Sequence, residues 1–113
     1  MKKTNFEDLL LHNKIIDHRN LYVLVAKRRP IFPSLSILVM GLYKEKLVFF
    51  KISTSYRLIK FIEDIELKDI NEFEIKTKTS NSILKIKVNK TMKNYDIVEH
   101  DKDVYSIKKI LKK

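Results

Sequence analysis

Leu35-Ser36-Ile37-Leu38-Val39-Met40-Gly41-Leu42-Tyr43-Lys44-Glu45-Lys46-Leu47-Val48-Phe49-Phe50-Lys51-Ile52 is the stretch whose reading decides the fold. Two runs rich in β-branched and aromatic residues flank a polar pair, so 35–43 and 47–52 read as strands joined by a turn at Lys44-Glu45. The turn is inferred from pattern, because neither residue favours the positive φ of a two-residue hairpin turn. The longest apolar run, Ile37 to Tyr43, is far too short to cross a bilayer as a helix.

Working outward, 21–26 is a further strand, nearly continuous in apolarity. Between it and the hairpin stands Lys27-Arg28-Arg29-Pro30-Ile31-Phe32-Pro33-Ser34, with both prolines of the chain. Proline lacks the N–H that a ladder needs and pushes its predecessor out of the helical region, so this segment is expected to be an exposed loop. On the other side, 58–67 reads as a fourth strand. Phe73, Ile75, Thr77 and Thr79 then alternate with Glu74, Lys76 and Lys78. After a turn at Ser80-Asn81-Ser82, Leu84, Ile86 and Val88 alternate with Lys85, Lys87 and Asn89, as in antiparallel strands with one wet face. A polar turn over 89–94 and a short last strand over 95–98 are expected to complete the set.

Helices are expected at both ends. Thr4-Asn5-Phe6-Glu7 reads as a capping box, and Phe6, Leu9, Leu10 and Ile16 recur at roughly helical spacing, which predicts a short amphipathic helix over 5–16. Its apolar face is expected to dock on the main domain, with a partner or a membrane as the alternatives. Asp101 or Asp103 caps a last helix, with Val104, Ile107, Ile110 and Leu111 on one stripe and Lys108, Lys109, Lys112 and Lys113 on the other. The organisation expected is one domain over 1–113, with the N-terminal helical segment at 1–18, the β domain at 20–99 and the C-terminal helix at 101–112.

Composition narrows the function. Of the net charge of +10, residues 21–60 carry +7, with eight cations against Glu45; residues 61–90 are neutral, and 1–20 and 91–113 carry +1 and +2. Such a field favours an anionic partner: phospholipid, nucleic acid or an acidic protein. With no cysteine there is no disulfide, no Cys-based zinc site and no thiol nucleophile, which is compatible with a cytoplasmic protein. Lys2 and Lys3 are followed by Glu7 and Asp8 and only a short Leu9-Leu10-Leu11 run, so no signal peptide is expected. Gly41 is the sole glycine, which excludes a P-loop, a dinucleotide fingerprint and a nucleophile elbow. His12, His18 and His100 are scattered and read as surface residues; His100 with Asp101 and Asp103 is the nearest thing to a metal cluster, and helix capping accounts for the aspartates. The expectation is no enzyme, no metal and no cofactor.

Gly41 through Phe50, a Gly-x-Leu start with a polar turn, a basic residue and an apolar strand, resembles the second-to-third strand hairpin of small stand-alone bacterial pleckstrin-homology-like (PH/GRAM-like) domains. Ile65-Glu66-Leu67-Lys68-Asp69-Ile70-Asn71-Glu72-Phe73-Glu74-Ile75 resembles their fourth-to-fifth strand junction. The resemblance spans roughly 20–112. It implies a mainly β (α+β) fold: a PH-like, seven-stranded antiparallel barrel or sandwich of two nearly orthogonal sheets, capped by the C-terminal helix, here with a short extra N-terminal helix. It also implies a non-enzymatic module that binds headgroups, peptides or its own kind. Eukaryotic relatives carry a Trp in the last helix, absent here, and read phosphates with a Lys in the first strand and Arg-x-Arg in the second, whereas 35–43 contains no cation.

The expected site is therefore a non-specific basic lip, Lys27, Arg28, Arg29, Lys44, Lys46 and Arg57, on an anionic membrane surface at the inner face of the cell membrane. Ile31 and Phe32 either form an apolar tip that enters the membrane or fold back over the barrel rim. The alternative is a protein–protein or self-assembly module, through sheet edges or the N-terminal helix, with a protective (immunity) role among its uses. Nucleic-acid binding through Lys76, Lys78, Lys85 and Lys87 with stacking tyrosines ranks lower, because Glu72 and Glu74 share that neighbourhood and cross-strand pairing accounts for the lysines. The high Lys, Ile and Asn usage points to an AT-rich bacterial or phage source.

Overall fold

A computed structural model describes residues 3–19, 21–27, 36–53, 55–77 and 82–97. The elements run α1 (Lys3–His12), β1 (Tyr22–Lys27), β2 (Ser36–Tyr43), β3 (Lys46–Ile52), β4 (Leu58–Glu66), a 3-10 turn (Leu67–Asp69), β5 (Ile70–Thr77), β6 (Ser82–Val88) and β7 (Thr91–Ile97). The strands form one antiparallel sheet in the order β4-β3-β2-β1-β7-β6-β5. The fold is mainly β. The loop Arg28–Ser34 and the expected C-terminal helix over 101–112 lie outside the described residues.

Two corrections concern the sheet. The strands form one continuous ladder that stays open, with β4 and β5 as unjoined edges, rather than a closed barrel or two separate sheets. The ladder is nonetheless strongly curled. Phe49 on β3 and Tyr95 on β7 would be about 14 Å apart across a flat sheet, yet their rings stack at 5.2 Å. Lys93 on β7 likewise donates to Glu63 Oε1 on β4 at 2.8 Å. The curl lets Val25, Met40, Phe49 and Ile65 from one half share a core with Leu84, Ile86 and Tyr95 from the other. The second correction is β7, which begins at Thr91 instead of 95: Asn89-Lys90 is a two-residue connection, and Thr91 to Asn94 already pair with β6. Met92 and Asn94 face water on the outside, while Lys93 pairs with Glu63 on the concave side.

The sheet buries both faces over β1–β3. On the concave side lies the shared core; on the convex side α1 docks through Phe6 and Leu10, followed by Ile15 and Ile16, onto Leu24, Val39, Val48 and Ile52. Two buried faces explain why these strands read as continuous apolar runs. Burying each of those four side chains contributes at most about 1.5–3 kcal/mol, which fixes a helix too short to persist alone.

α1 starts ahead of the expected capping box and ends at His12 rather than 16. Lys14 takes a left-handed φ of 60°. Its N–H donates to the Leu11 carbonyl at 3.2 Å, and the Ile15 N–H donates to the Leu10 carbonyl at 2.9 Å. This is the Schellman pattern, sealed by burial of Ile15 beside Leu10. The helical spacing that runs on to Ile16 arises because the chain turns back and buries the next two residues as well.

Candidate functional site

The sheet has two ends with different chemistry. The first, called the loop end here, carries the β1–β2, β3–β4 and β6–β7 connections. The second carries the β2–β3 turn and the β5–β6 connection, and the chain leaves β4 there for the start of β5. The eight residues of β2 put roughly 25 Å between them.

This separation divides the residues expected to form one lip. Lys27 ends β1 at the loop end, and Arg57 lies in the β3–β4 connection at the same end. Arg28, Arg29, Ile31 and Phe32 lie outside the described residues. Lys44 and Lys46 lie at the far end, on or beside the β2–β3 turn. Charges there are mixed. Lys46 stands opposite Glu66, Lys68 pairs with Glu66 at 3.2 Å, and Asp17, Glu45 and Asp69 lie in the same region. Lys44 lies over the Tyr43 ring, 5.3 Å from its centroid, while its backbone N–H donates to Asp17 Oδ2 at 2.9 Å.

The loop end gains two cations of the basic 27–60 region that were not among the residues expected for the lip. Lys51 on β3 and Lys60 on β4 are direct cross-strand partners, so two like charges face each other one pair from the strand ends. Two β4 residues nearby, Ile59 and Phe61, are 55% and 49% exposed, although Phe61 also packs edge-on against Phe50. β4 accommodates extra residues at Ile59 and Ile62, opposite register shifts between Lys51/Ile52 and Phe49/Phe50. Bulges of this kind shift the alternation of a strand, and no glycine marks them in the sequence.

Arg57 is held on an ordered platform. The Ser53 N–H donates to the Arg57 carbonyl at 2.9 Å, the Arg57 N–H donates to Ser53 Oγ at 3.1 Å, and the Tyr56 N–H donates to the Ser53 carbonyl at 3.0 Å. Tyr56 itself takes a φ of 62° and sets its ring edge-on to Phe6, with centroids 5.2 Å apart. The connection that presents Arg57 is thus tied to the docked helix. In the turn ahead of β1, Arg19 pairs with Asp8 and lies 3.7 Å from Glu7. The hydrogen bond to Asp8 and its charge hold the guanidinium pKa above its ordinary value.

Several of the remaining charges stand opposite or pair with one another within the sheet. Glu72 stands opposite Lys87 and Glu74 opposite Lys85 on the outer face of β5 and β6. Glu63 and Lys93 pair across the concave side, and burial, with the Glu63 charge added, pushes the Tyr95 phenol well above its usual range. His12 and His18 are exposed, and His100 lies outside the described residues. Among the described residues no group of three or more His, Asp or Glu is placed to hold a metal ion, and no helix is long and apolar enough to cross a membrane. The chain matches no known family model and no curated protein sequence.

Proposed function

We propose that the protein is a non-enzymatic binding module that attaches to an anionic membrane surface through the loop end of its sheet. The observation that carries this reading is the facing pair Lys51 and Lys60, with Arg57 and the end of β1 at the same end of the sheet and Ile59 and Phe61 exposed beside them. Like charges set directly opposite one another are destabilising, and an anionic surface offsets that cost. Each cation near such a surface contributes about 1 kcal/mol, so three give about 3 kcal/mol, a factor of about 150 in partitioning. Exposed apolar side chains beside the cations add contact with the acyl boundary. The resemblance to pleckstrin-homology-like domains, with its sequence of seven strands, also favours a binding module, working peripherally at the cytoplasmic face of the membrane.

Co-sedimentation with neutral and anionic vesicles at two salt concentrations tests this. Preference for anionic vesicles, weakening with salt, is expected, and replacing Lys51, Arg57 and Lys60 together by Ser should remove most of it. Replacing Lys44 and Lys46 by Ser at the other end should leave binding nearly unchanged. No preference for anionic vesicles at low salt sinks the reading. Equal losses from the two sets of substitutions would mean that net charge, rather than this end, governs attachment.

A further inference from the structure

The two edges of the sheet, β4 and β5, differ in how strongly they discourage further pairing. β4 carries two bulges, which break the regular row of backbone groups that another strand would need. β5 has one irregularity, at Asn71 near its start, and its register from Glu72 to Thr77 is unbroken. Along that regular part Glu72, Glu74 and Lys76 are exposed, and Phe73, with the parity of Ile75, is 42% exposed.

The charges next to Ile75 on this edge are of opposite sign, with Glu74 before it and Lys76 after it. In an antiparallel pair of identical strands related by a two-fold axis at Ile75, position 74 of each copy faces position 76 of the other. Both contacts are then Glu against Lys. Ile75 meets its own equivalent on the apolar face, with Phe73 flanking it. A slip of two residues, centring the pair on Glu74, would set that carboxylate against its own copy. The charge pattern therefore favours one register.

We propose that the protein forms a two-fold symmetric homodimer in which β5 pairs antiparallel with β5 of a second copy about Ile75, joined by two Glu74–Lys76 contacts. Main-chain hydrogen bonds along the edge supply the affinity, and the charges supply the register. An edge of this length buries less than a standard interface, so the dimer is reversible and concentration-dependent. The proposal does not rest on the membrane reading, because the substitutions that test it leave the loop-end cations intact.

Sedimentation velocity on the full chain over a concentration series is expected to show a monomer–dimer equilibrium. Glu74→Lys should weaken it about tenfold or more, since two cross-strand pairs change sign together. Adding Lys76→Glu to that variant should restore it, with thermal unfolding verifying that each variant folds. The chain has no cysteine, so Ile75→Cys should give a disulfide-linked dimer on mild oxidation. Phe73→Cys should not, because its equivalents would be about 13 Å apart, beyond disulfide reach. A monomer at every concentration would overturn the proposal. So would a dimer indifferent to Glu74→Lys, a charge swap that fails to restore association, or cross-linking at 73 instead of 75.

Discussion

A Cβ on Gly41 would stand 2.4 Å from the backbone oxygen of Ile15 and 2.7 Å from the Cγ2 atoms of Ile15 and Ile16. The chain can pass this close to β2 only because that residue has no side chain. The nearest atom belongs to backbone that the Schellman turn holds in place, so it cannot swing aside as a side-chain tip could. Gly41→Ala is therefore expected to destabilise the protein by about 1–3 kcal/mol through overpacking. The measurement is urea unfolding followed by circular dichroism. A loss of only a few tenths of a kcal/mol would mean that the α1–β1 connection is looser on the sheet than these distances require.

At the scale of elements, the β2–β3 hairpin turns on two residues with φ of 46° and 63°, Lys44 and Glu45. Positive φ at both central residues is the mark of a type I′ turn, which suits the twist of the strands but is strained for Lys and Glu. Main-chain contacts from outside the hairpin hold it: the Lys44 N–H on Asp17, and the Leu67 N–H donating to the Glu45 carbonyl at 2.9 Å. Replacing the pair by Asn-Gly keeps both contacts and relieves the strain. It should raise stability by about 0.5–1 kcal/mol, read as a higher urea midpoint at unchanged slope. The position of this turn was legible from the apolar runs on either side, while its geometry was not, since nothing in Lys-Glu announces positive φ. Other elements divide in the same way. β6 was plain from the alternation of Leu84, Ile86 and Val88 with Lys85 and Lys87. The first half of β7 was hidden, because Lys93 and Asn94 lack strand-forming character and the run is held by pairing to β6. In the candidate site the excess of cations was legible, but their partition between two ends was not. Strand reversal carries Lys44 and Lys46 away from Lys27, and the register of β3 on β4 brings Lys51 opposite Lys60.

At the scale of the molecule, the question is what keeps an open ladder curled. Tyr95 occupies the place where the halves meet: it stacks on Phe49 from the other side of the curl and lies in the shared core, below the Glu63–Lys93 ion pair. Burial is the larger cause of its raised pKa and the Glu63 charge the lesser, and both disfavour the phenolate in the folded state. The unfolded chain ionises this group near the ordinary value of 10.0. The associated stability is therefore fully present below that pH. It is lost progressively above it, as the unfolded state releases a proton that the folded state retains. Lysines titrate in the same alkaline range, so the wild-type curve alone does not isolate the effect; comparison with Tyr95→Phe does. The Phe variant keeps the ring stack and has no proton to lose, so the stability difference between the two proteins should shift in favour of Phe as the pH rises from 9 towards 11. Urea unfolding at several pH values, with phenolate absorbance followed near 295 nm as an independent titration, makes the comparison. A difference that stays constant across this window would mean that Tyr95 ionises equally well in the folded protein, and that the curl leaves it open to water.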